Sequence, residues 1–191
     1  MADPAAPVSD PNQHVRDYLG HFIGFQHAPH YAVMLSGQWG IGKTFQVKKI
    51  VNELLAGSGK RYVLVSLYGL KSPQEIDDAM VAALYPWTNT DGARIATAVG
   101  KAILKHAKIE LPKVQSADLV SRMSADVFIF DDLERCRMPV TDVLGYINQL
   151  VERDGCKVIV LANEKEIREC DGSFRPRSTD QELLLDGGKA A

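Results

Sequence analysis

The length, composition and charge of this chain are those of an ordinary globular protein. Its 191 residues are enough for one domain with a sizeable core, and its contents of 46% hydrophobic and 24% charged residues are typical. A formal net charge of −2 disfavours nucleic acid or an anionic membrane as a main partner, and no apolar stretch is long enough to span a bilayer. Three cysteines without metal-type spacing fit a reducing compartment, and the N-terminus does not resemble a secretion signal. We therefore predict a cytoplasmic protein.

Apolar periodicity predicts strands that alternate with helices along the chain. We expect a flexible tail over residues 1–10, one domain over 11–170, and a tail over 171–191 that is either an edge strand or disordered. The predicted helices cover about residues 11–23, 43–56, 72–84, 91–107, 139–153 and 164–169. The predicted strands cover residues 31–36, 61–67, 126–130 and 157–162. This alternation predicts an α/β fold with a parallel sheet, helices on both faces and a ligand at the carboxyl ends of the strands.

The first predicted strand runs directly into a glycine-rich loop. Residues 37–44 read G-Q-W-G-I-G-K-T, which satisfies the phosphate-binding pattern G-x-x-x-x-G-K-[ST] between a strand and a helix. In such a loop the backbone N–H groups point at phosphate oxygens, and the start of the helix adds positive potential. We expect Lys43 to reach the terminal phosphates and Thr44 to ligate Mg²⁺. The predicted nucleotide-binding residues are Gly37, Gln38, Trp39, Gly40, Ile41, Gly42, Lys43, Thr44 and Phe45.

Acidic residues follow the third predicted strand, as the metal side of a nucleotide site requires. Asp131 is expected to hold Mg²⁺ together with Thr44, which is the Walker B role. Asp132 is then placed to act as the general base on the attacking water. Glu134 is a second candidate for this role, because a bend after the strand would bring it round. The alternative is that Asp132 and Glu134 only cap the next helix.

Three other residues near the predicted site remain open to more than one interpretation. Asn163 follows the fourth strand and would either orient the attacking water as a catalytic or sensor residue, or form a turn. Arg135 and Arg137 could pair with the acidic residues, contact phosphate or act across a subunit contact. Trp39 is expected to pack over the phosphate pocket. Residues 163–166 read N-E-K-E and lack the N-K-x-D pattern that GTPases use to bind guanine.

Three segments together resemble the KAP family of P-loop NTPases. They are residues 37–44, residues 128–135 (F-I-F-D-D-L-E-R) and residues 158–163 (V-I-V-L-A-N). The tryptophan in the loop and the D-D-L-[DE]-R sequence are the most specific parts, and the chain is also similar to the wider AAA-like and STAND signalling ATPases. The resemblance, over about residues 13–170, implies a P-loop core of the additional-strand type, in which the fourth strand separates the Walker B strand from the phosphate-loop strand. Unlike many members, the chain has no membrane helices between the Walker motifs, and no C-terminal lid is recognisable.

The resemblance also implies a function and cofactors. The family's roles would fall on Lys43 and Thr44 for phosphate and Mg²⁺, on Asp131 for the metal and on Asp132 for the water. ATP and Mg²⁺ would be the cofactors of a switch or motor that drives a protein effector or acts in a homo-oligomer, as in bacterial regulators tied to phage defence. The alternative is a nucleotide-binding scaffold that does not hydrolyse, so the sequence leaves enzyme activity open. A nucleic-acid enzyme is a weaker third hypothesis, which the net charge disfavours.

Overall fold

The structure is a computed structural model that describes residues 10–84, 125–170 and 182–184. The helices are α1 (Gln13–Gly24), α2 (Lys43–Leu55), α3 (Pro73–Leu84), α4 (Val140–Asn148) and α5 (Glu164–Cys170). The strands are β1 (Ala32–Ser36), β2 (Tyr62–Ser66), β3 (Val127–Asp131), β4 (Lys157–Ala162) and β5 (Glu182–Leu184). The helix predicted over residues 91–107 lies outside the described residues. Within the described ranges, no helix is long and apolar enough to cross a membrane.

The five strands in the described part of the chain are parallel and lie in the order β2-β3-β4-β1-β5. Strand β4 therefore lies between β1, which leads into the glycine-rich loop, and β3, which ends in the acidic residues. This order confirms the predicted α/β fold of the additional-strand type. Within the described residues 182–184, strand β5 lies at the edge of the sheet, with Glu182 beside Met34 of β1. Strand β5 pairs with backbone groups that would otherwise form an exposed edge of the sheet.

The sheet is covered by helices on both faces, as predicted. Side chains alternate along β3, so that Phe128 and Phe130 pack in one cluster with residues of α3 and α4. Val127 and Ile129 face the other way and pack with residues of α1 and α2. All five residues of β3 are buried, which is expected for a central strand of a parallel sheet. Burial on both faces makes the carboxyl end of β3 a firm support for the side chains that follow it.

The segment after β3 contains a short turn and a helix that changes type along its length. A 3₁₀ turn covers Leu133–Arg135, and the helix predicted over residues 139–153 is an α-helix only to Asn148, after which a π-helical turn covers Gln149–Arg153. Apolar residues three and four positions apart are compatible with both helix types, so periodicity does not distinguish them. The 3₁₀ turn is too short to show a periodicity at all.

Helices α3 and α4 are tied by a hydrogen bond from the Tyr146 hydroxyl to Asp77 Oδ1, 2.6 Å long. Burial raises the pKa of Asp77, and this hydrogen bond acts in the opposite direction. We expect Tyr146→Phe to lower the free energy of unfolding by about 1–2 kcal/mol, as measured by urea unfolding at neutral pH. Because the hydroxyl stabilises the ionised carboxylate, the difference should shrink as the pH falls through the pKa of Asp77. An equal loss in an Asp77→Asn background would contradict this explanation.

Candidate functional site

The glycine-rich loop joins the carboxyl end of β1 to the start of α2. Gly40 and Gly42 have φ angles of 78° and 88°, in the left-handed region that glycine adopts without a Cβ penalty. Gly42 directly precedes α2. The loop backbone therefore lies next to the N-terminus of α2, where the helix dipole is positive. The Gly37 N–H donates to the Ala162 carbonyl at 3.1 Å, which attaches the loop to β4. The loop therefore has the backbone that anion binding requires.

Lys43, Thr44 and Asp131 meet at the base of this loop. The Thr44 hydroxyl donates to Asp131 Oδ2 at 2.6 Å, although the two residues are 87 positions apart. Lys43 Nζ donates to the carbonyls of Gly37 and Gln38 at 2.5 and 3.2 Å. Burial raises the pKa of Asp131, while the hydrogen bond from Thr44 opposes this shift. The structure thus brings together the cation, the hydroxyl and the carboxylate that the sequence predicted for one site.

Asp132 turns the chain at the end of β3. Its φ of 60° is in the left-handed region, which aspartate tolerates better than most residues do. Its Oδ2 accepts a hydrogen bond from the Ser66 hydroxyl at 3.0 Å, and its Oδ1 lies 3.9 Å from a guanidinium nitrogen of Arg135. The 3₁₀ turn has no side-chain cap from Asp132. The Asp132 side chain therefore does not cap the turn that follows it.

Glu134 is brought round by the predicted bend, which is the 3₁₀ turn. Its Oε1 accepts a hydrogen bond from the Trp39 indole N–H at 2.6 Å, and its Oε2 accepts one from the Asn163 backbone N–H at 3.0 Å. These contacts are with the loop and with the end of β4, so Glu134 does not cap the next helix, α4. The carboxylate connects two elements that both border the loop.

Asn163 is almost fully buried at the end of β4, with 7% of its surface exposed. Its carbonyl accepts the Ile167 N–H at 3.1 Å, so Asn163 directly precedes α5 and begins its first turn. This position is compatible with the turn-forming role considered above. It does not line the cleft described below and joins the site through its backbone contact with Glu134. Its role as a sensor or catalytic amide remains a prediction.

Trp39 borders the cleft described below, and its shielding of the phosphate pocket remains a prediction. Its side chain is 54% exposed at the rim of the loop, and the Arg135 guanidinium lies 4.8 Å from its ring centroid. The same guanidinium lies 4.9 Å from the centroid of Tyr68. Stacking on cationic and polar neighbours can hold an aromatic ring at a surface without burying it. The Arg135 side chain therefore lies between two aromatic rings and beside Asp132.

These residues surround a cleft of about 470 Å³. The end of β3 and the 3₁₀ turn contribute to it through Asp131, Asp132, Glu134 and Arg135. Seven of the nine predicted nucleotide contacts line it, namely Gln38, Trp39, Gly40, Gly42, Lys43, Thr44 and Phe45. Gly37 and Ile41 do not line it, and a Cβ at Gly37 would lie 3.3 Å from the Ile41 side chain. The predicted residues other than Gly37, Ile41 and Asn163 thus border one cleft.

The oxygen ligands in the cleft fit Mg²⁺ bound together with a nucleotide. Thr44 and Asp131 supply a hydroxyl and a carboxylate oxygen at one point, and Mg²⁺ prefers hard oxygen ligands. Among residues 10–84, 125–170 and 182–184, no group of three or more His, Cys, Asp or Glu residues could hold a metal ion alone. This combination suits a cation that takes one or two protein oxygens and completes its shell with phosphate and water.

Two residues of the site, Ser66 and Tyr68, were not predicted from the sequence. Ser66 ends β2 opposite Asp131 in the sheet register and donates to Asp132, and Tyr68 stacks on Arg135. The signal for Ser66 was a polar residue at the carboxyl end of a buried strand. Tyr68 gave no signal, because its contact depends on the path of two loops that are far apart in the sequence.

Comparison with known proteins assigns the family. The family model described as the KAP family P-loop domain matches residues 19–121, more than half of the chain. The chain belongs to the KAP family of P-loop domains. As a KAP family P-loop domain it is a nucleotide-binding protein. The match includes the phosphate-binding loop and stops before β3, so the roles of the residues from Asp131 onward depend on the geometry above. No curated protein matches the sequence significantly.

Two solved structures are similar to this KAP domain. One is the replication initiator DnaA bound to AMPPCP and single-stranded DNA, with 12% identity and a TM-score of 0.48, covering 96% of this chain and 51% of that protein. The other is AMPPCP-bound DnaA from Aquifex aeolicus, with 15% identity and a TM-score of 0.44, covering 96% of this chain and 52% of that protein. The chain thus spans about half the length of these proteins.

Proposed function

We propose that this KAP family domain binds Mg-ATP and hydrolyses it. The observation that carries the proposal is the 2.6 Å hydrogen bond between Thr44 Oγ1 and Asp131 Oδ2. It joins the hydroxyl of the phosphate-binding loop to the carboxylate at the end of β3. These are the two protein oxygens that a P-loop site uses for its metal. Lys43, next to Thr44, supplies the cation for the terminal phosphates.

Each residue of the cleft has a separate task in this proposal. Lys43 exchanges the carbonyls of Gly37 and Gln38 for oxygens of the terminal phosphates. Thr44 and Asp131 would hold Mg²⁺, whose contribution is to neutralise phosphate charge. Asp132 orients the attacking water and takes its proton, with its carboxylate held by Ser66. Asn163 and Glu134 support this arrangement from the end of β4 and from the 3₁₀ turn.

Adenine is the proposed base, and its contacts are with the rim of the cleft. The N-E-K-E sequence at residues 163–166 departs from the N-K-x-D pattern that reads guanine, with Glu164 in place of the lysine and Glu166 in place of the aspartate. Phe45 lines the cleft and is 70% exposed, so its ring is available to contact the nucleoside. The proposed nucleotide is therefore ATP.

The proposed biological role is that of a nucleotide-dependent switch or motor. Residues 11–170 would form the NTPase unit, and its conformation would be read by a protein effector or by other copies of the chain. A role in bacterial phage defence belongs to this proposal and derives from the family resemblance. The cytoplasmic location expected from the composition remains a prediction.

A nucleotide-binding scaffold without turnover is the second candidate. Two side chains at the rim of the cleft, Trp39 and Phe45, are more than half exposed. Within the described residues, little therefore encloses a bound nucleoside or keeps water from the phosphates, and enclosure of this kind usually supports catalysis. Such a scaffold would bind nucleotide without hydrolysing it, and the protein effector would respond to the binding itself.

Phosphate release by the purified chain tests the proposal. We expect release from ATP that requires Mg²⁺, stops in EDTA and is slower with GTP. The same samples should be titrated with Mg-ATP by calorimetry, so that binding is measured apart from turnover. Binding without release would favour the scaffold, and no binding at all would contradict both candidates.

A further inference from the structure

Glu134 links the phosphate-binding loop to the end of β4. One carboxylate oxygen accepts the Trp39 indole N–H at 2.6 Å, and the other accepts the Asn163 backbone N–H at 3.0 Å. Trp39 and Glu134 are 95 residues apart in sequence, so only the folded chain brings them together. Hydrogen bonds to an ionised carboxylate are among the strongest that neutral donors make.

The turn that carries Glu134 is well anchored, whereas Trp39 is not held by the core. Leu133 is fully buried, and the Arg135 carbonyl accepts the Gly69 N–H at 2.9 Å. Trp39 in contrast is 54% exposed, and its described contacts are the hydrogen bond to Glu134 and the Arg135 guanidinium over its ring. The 3₁₀ turn therefore acts as the support, and the loop residue is the part that is held.

We propose that Trp39 and Glu134 are positioning residues, which hold the phosphate-binding loop in the conformation that receives a triphosphate. Trp39 lies between Gln38 and Gly40, whose backbone borders the cleft, so fixing its indole restricts that backbone. The proposal deepens the proposed function and rests on it, because it assumes that the loop binds nucleotide. It assigns Glu134 a task other than activating water.

The geometry favours this task over that of a base. Both carboxylate oxygens of Glu134 already accept an N–H, so taking a proton from water would neutralise the carboxylate and weaken its hydrogen bonds to Trp39 and Asn163. Asn163 is 7% exposed, and a buried backbone N–H without a partner is costly. Asp132 has its carboxylate held by a flexible hydroxyl and lines the same cleft, so it can serve as the base without breaking such a link.

Two conservative variants test the proposal in a Trp87→Phe background, where Trp39 is the only tryptophan. Trp39→Phe keeps the ring that Arg135 covers and removes the N–H donor. Glu134→Gln keeps the shape of the side chain but has one acceptor for two N–H donors. We expect each to weaken binding of Mg-AMPPCP about five- to tenfold by calorimetry. The double variant should lose little more than either single variant, because both remove the same contact.

Two further measurements separate positioning from general structural damage. At saturating ATP, kcat should change less than about twofold in both variants, so the effect appears in KM. In Glu134→Gln without nucleotide, acrylamide should quench the Trp39 fluorescence more strongly than in the Trp87→Phe parent. Tyr31→Phe is the matched control, since Tyr31 is an exposed aromatic at the opposite end of β1, and it should leave affinity unchanged.

The outcomes distinguish this proposal from the proposed function. Unchanged affinity in both variants would overturn the positioning role. Unchanged affinity with a kcat loss of about a hundredfold in Glu134→Gln alone would also overturn it and make Glu134 the base. If the unsubstituted chain bound nucleotide without turnover, the hydrolysis proposal would fail, while the two affinities and the quenching would still test the positioning role.

Discussion

Replacing Lys43 with alanine is expected to abolish tight binding of Mg-ATP. Lys43 is 9% exposed, and in the proposed complex its ammonium faces the terminal phosphates, so its loss would leave phosphate charge uncompensated at a largely buried position. Removing one partner of such a charge pair costs about 2–5 kcal/mol, which corresponds to roughly a 30- to 5,000-fold weaker affinity. Phosphate release at a fixed ATP concentration should fall to the background level.

Calorimetric titration of Mg-ATP into both proteins is the direct measurement. Lys48→Ala is the matched control, since Lys48 is an exposed lysine on the same helix, α2, and its loss changes the net charge equally. The control should bind as the unsubstituted chain does. Lys43→Ala with unchanged affinity would show that the glycine-rich loop is not the nucleotide site.

Replacing Asp132 with asparagine is expected to stop turnover and preserve binding. Asparagine has nearly the same shape and can still accept the hydrogen bond from the Ser66 hydroxyl, but it cannot take a proton from water. General-base catalysis contributes about 10²–10⁴-fold, so kcat should fall by at least about a hundredfold. Because no group on the phosphates is lost, the affinity for Mg-ATP should change little.

Asp131→Asn is the informative comparison for Asp132→Asn. Asp131 hydrogen-bonds Thr44 at the proposed metal position, so its replacement should weaken Mg²⁺-dependent binding as well as turnover. Calorimetry with and without Mg²⁺, combined with single-turnover phosphate release, separates the two effects. If Asp132→Asn turned over at the original rate, Asp132 would not be the base.

Much of this fold could be predicted because each main element has a local signal. Strand β3 is a run of apolar residues that ends in two carboxylates, and the loop at residues 37–44 has its glycines, lysine and threonine at required positions. The position of β4 between β1 and β3 followed from the family resemblance. The contact between Thr44 and Asp131 then follows, because parallel strands bring their carboxyl ends to one edge of the sheet.

Several features of the site could not be predicted in this way. The link from Trp39 through Glu134 to Asn163 depends on a 3₁₀ turn of three residues, which is too short for periodicity to reveal. The contact between the exposed ring of Trp39 and the guanidinium of Arg135 could not be predicted either, because the two residues are far apart in the sequence.

The sequence alone indicated the family, the order of helices and strands, and the loop that we predict to bind phosphate. These properties depend on residue types at fixed spacing along the chain, which are visible without a structure. Only the tertiary structure decided how Asp132 and Glu134 differ. Both are acidic residues just after β3, but one accepts a hydroxyl from β2 and the other accepts N–H groups from the loop and from the end of β4. Side-chain partners that are tens of residues apart depend on the packing of the sheet and its loops, which no local pattern encodes.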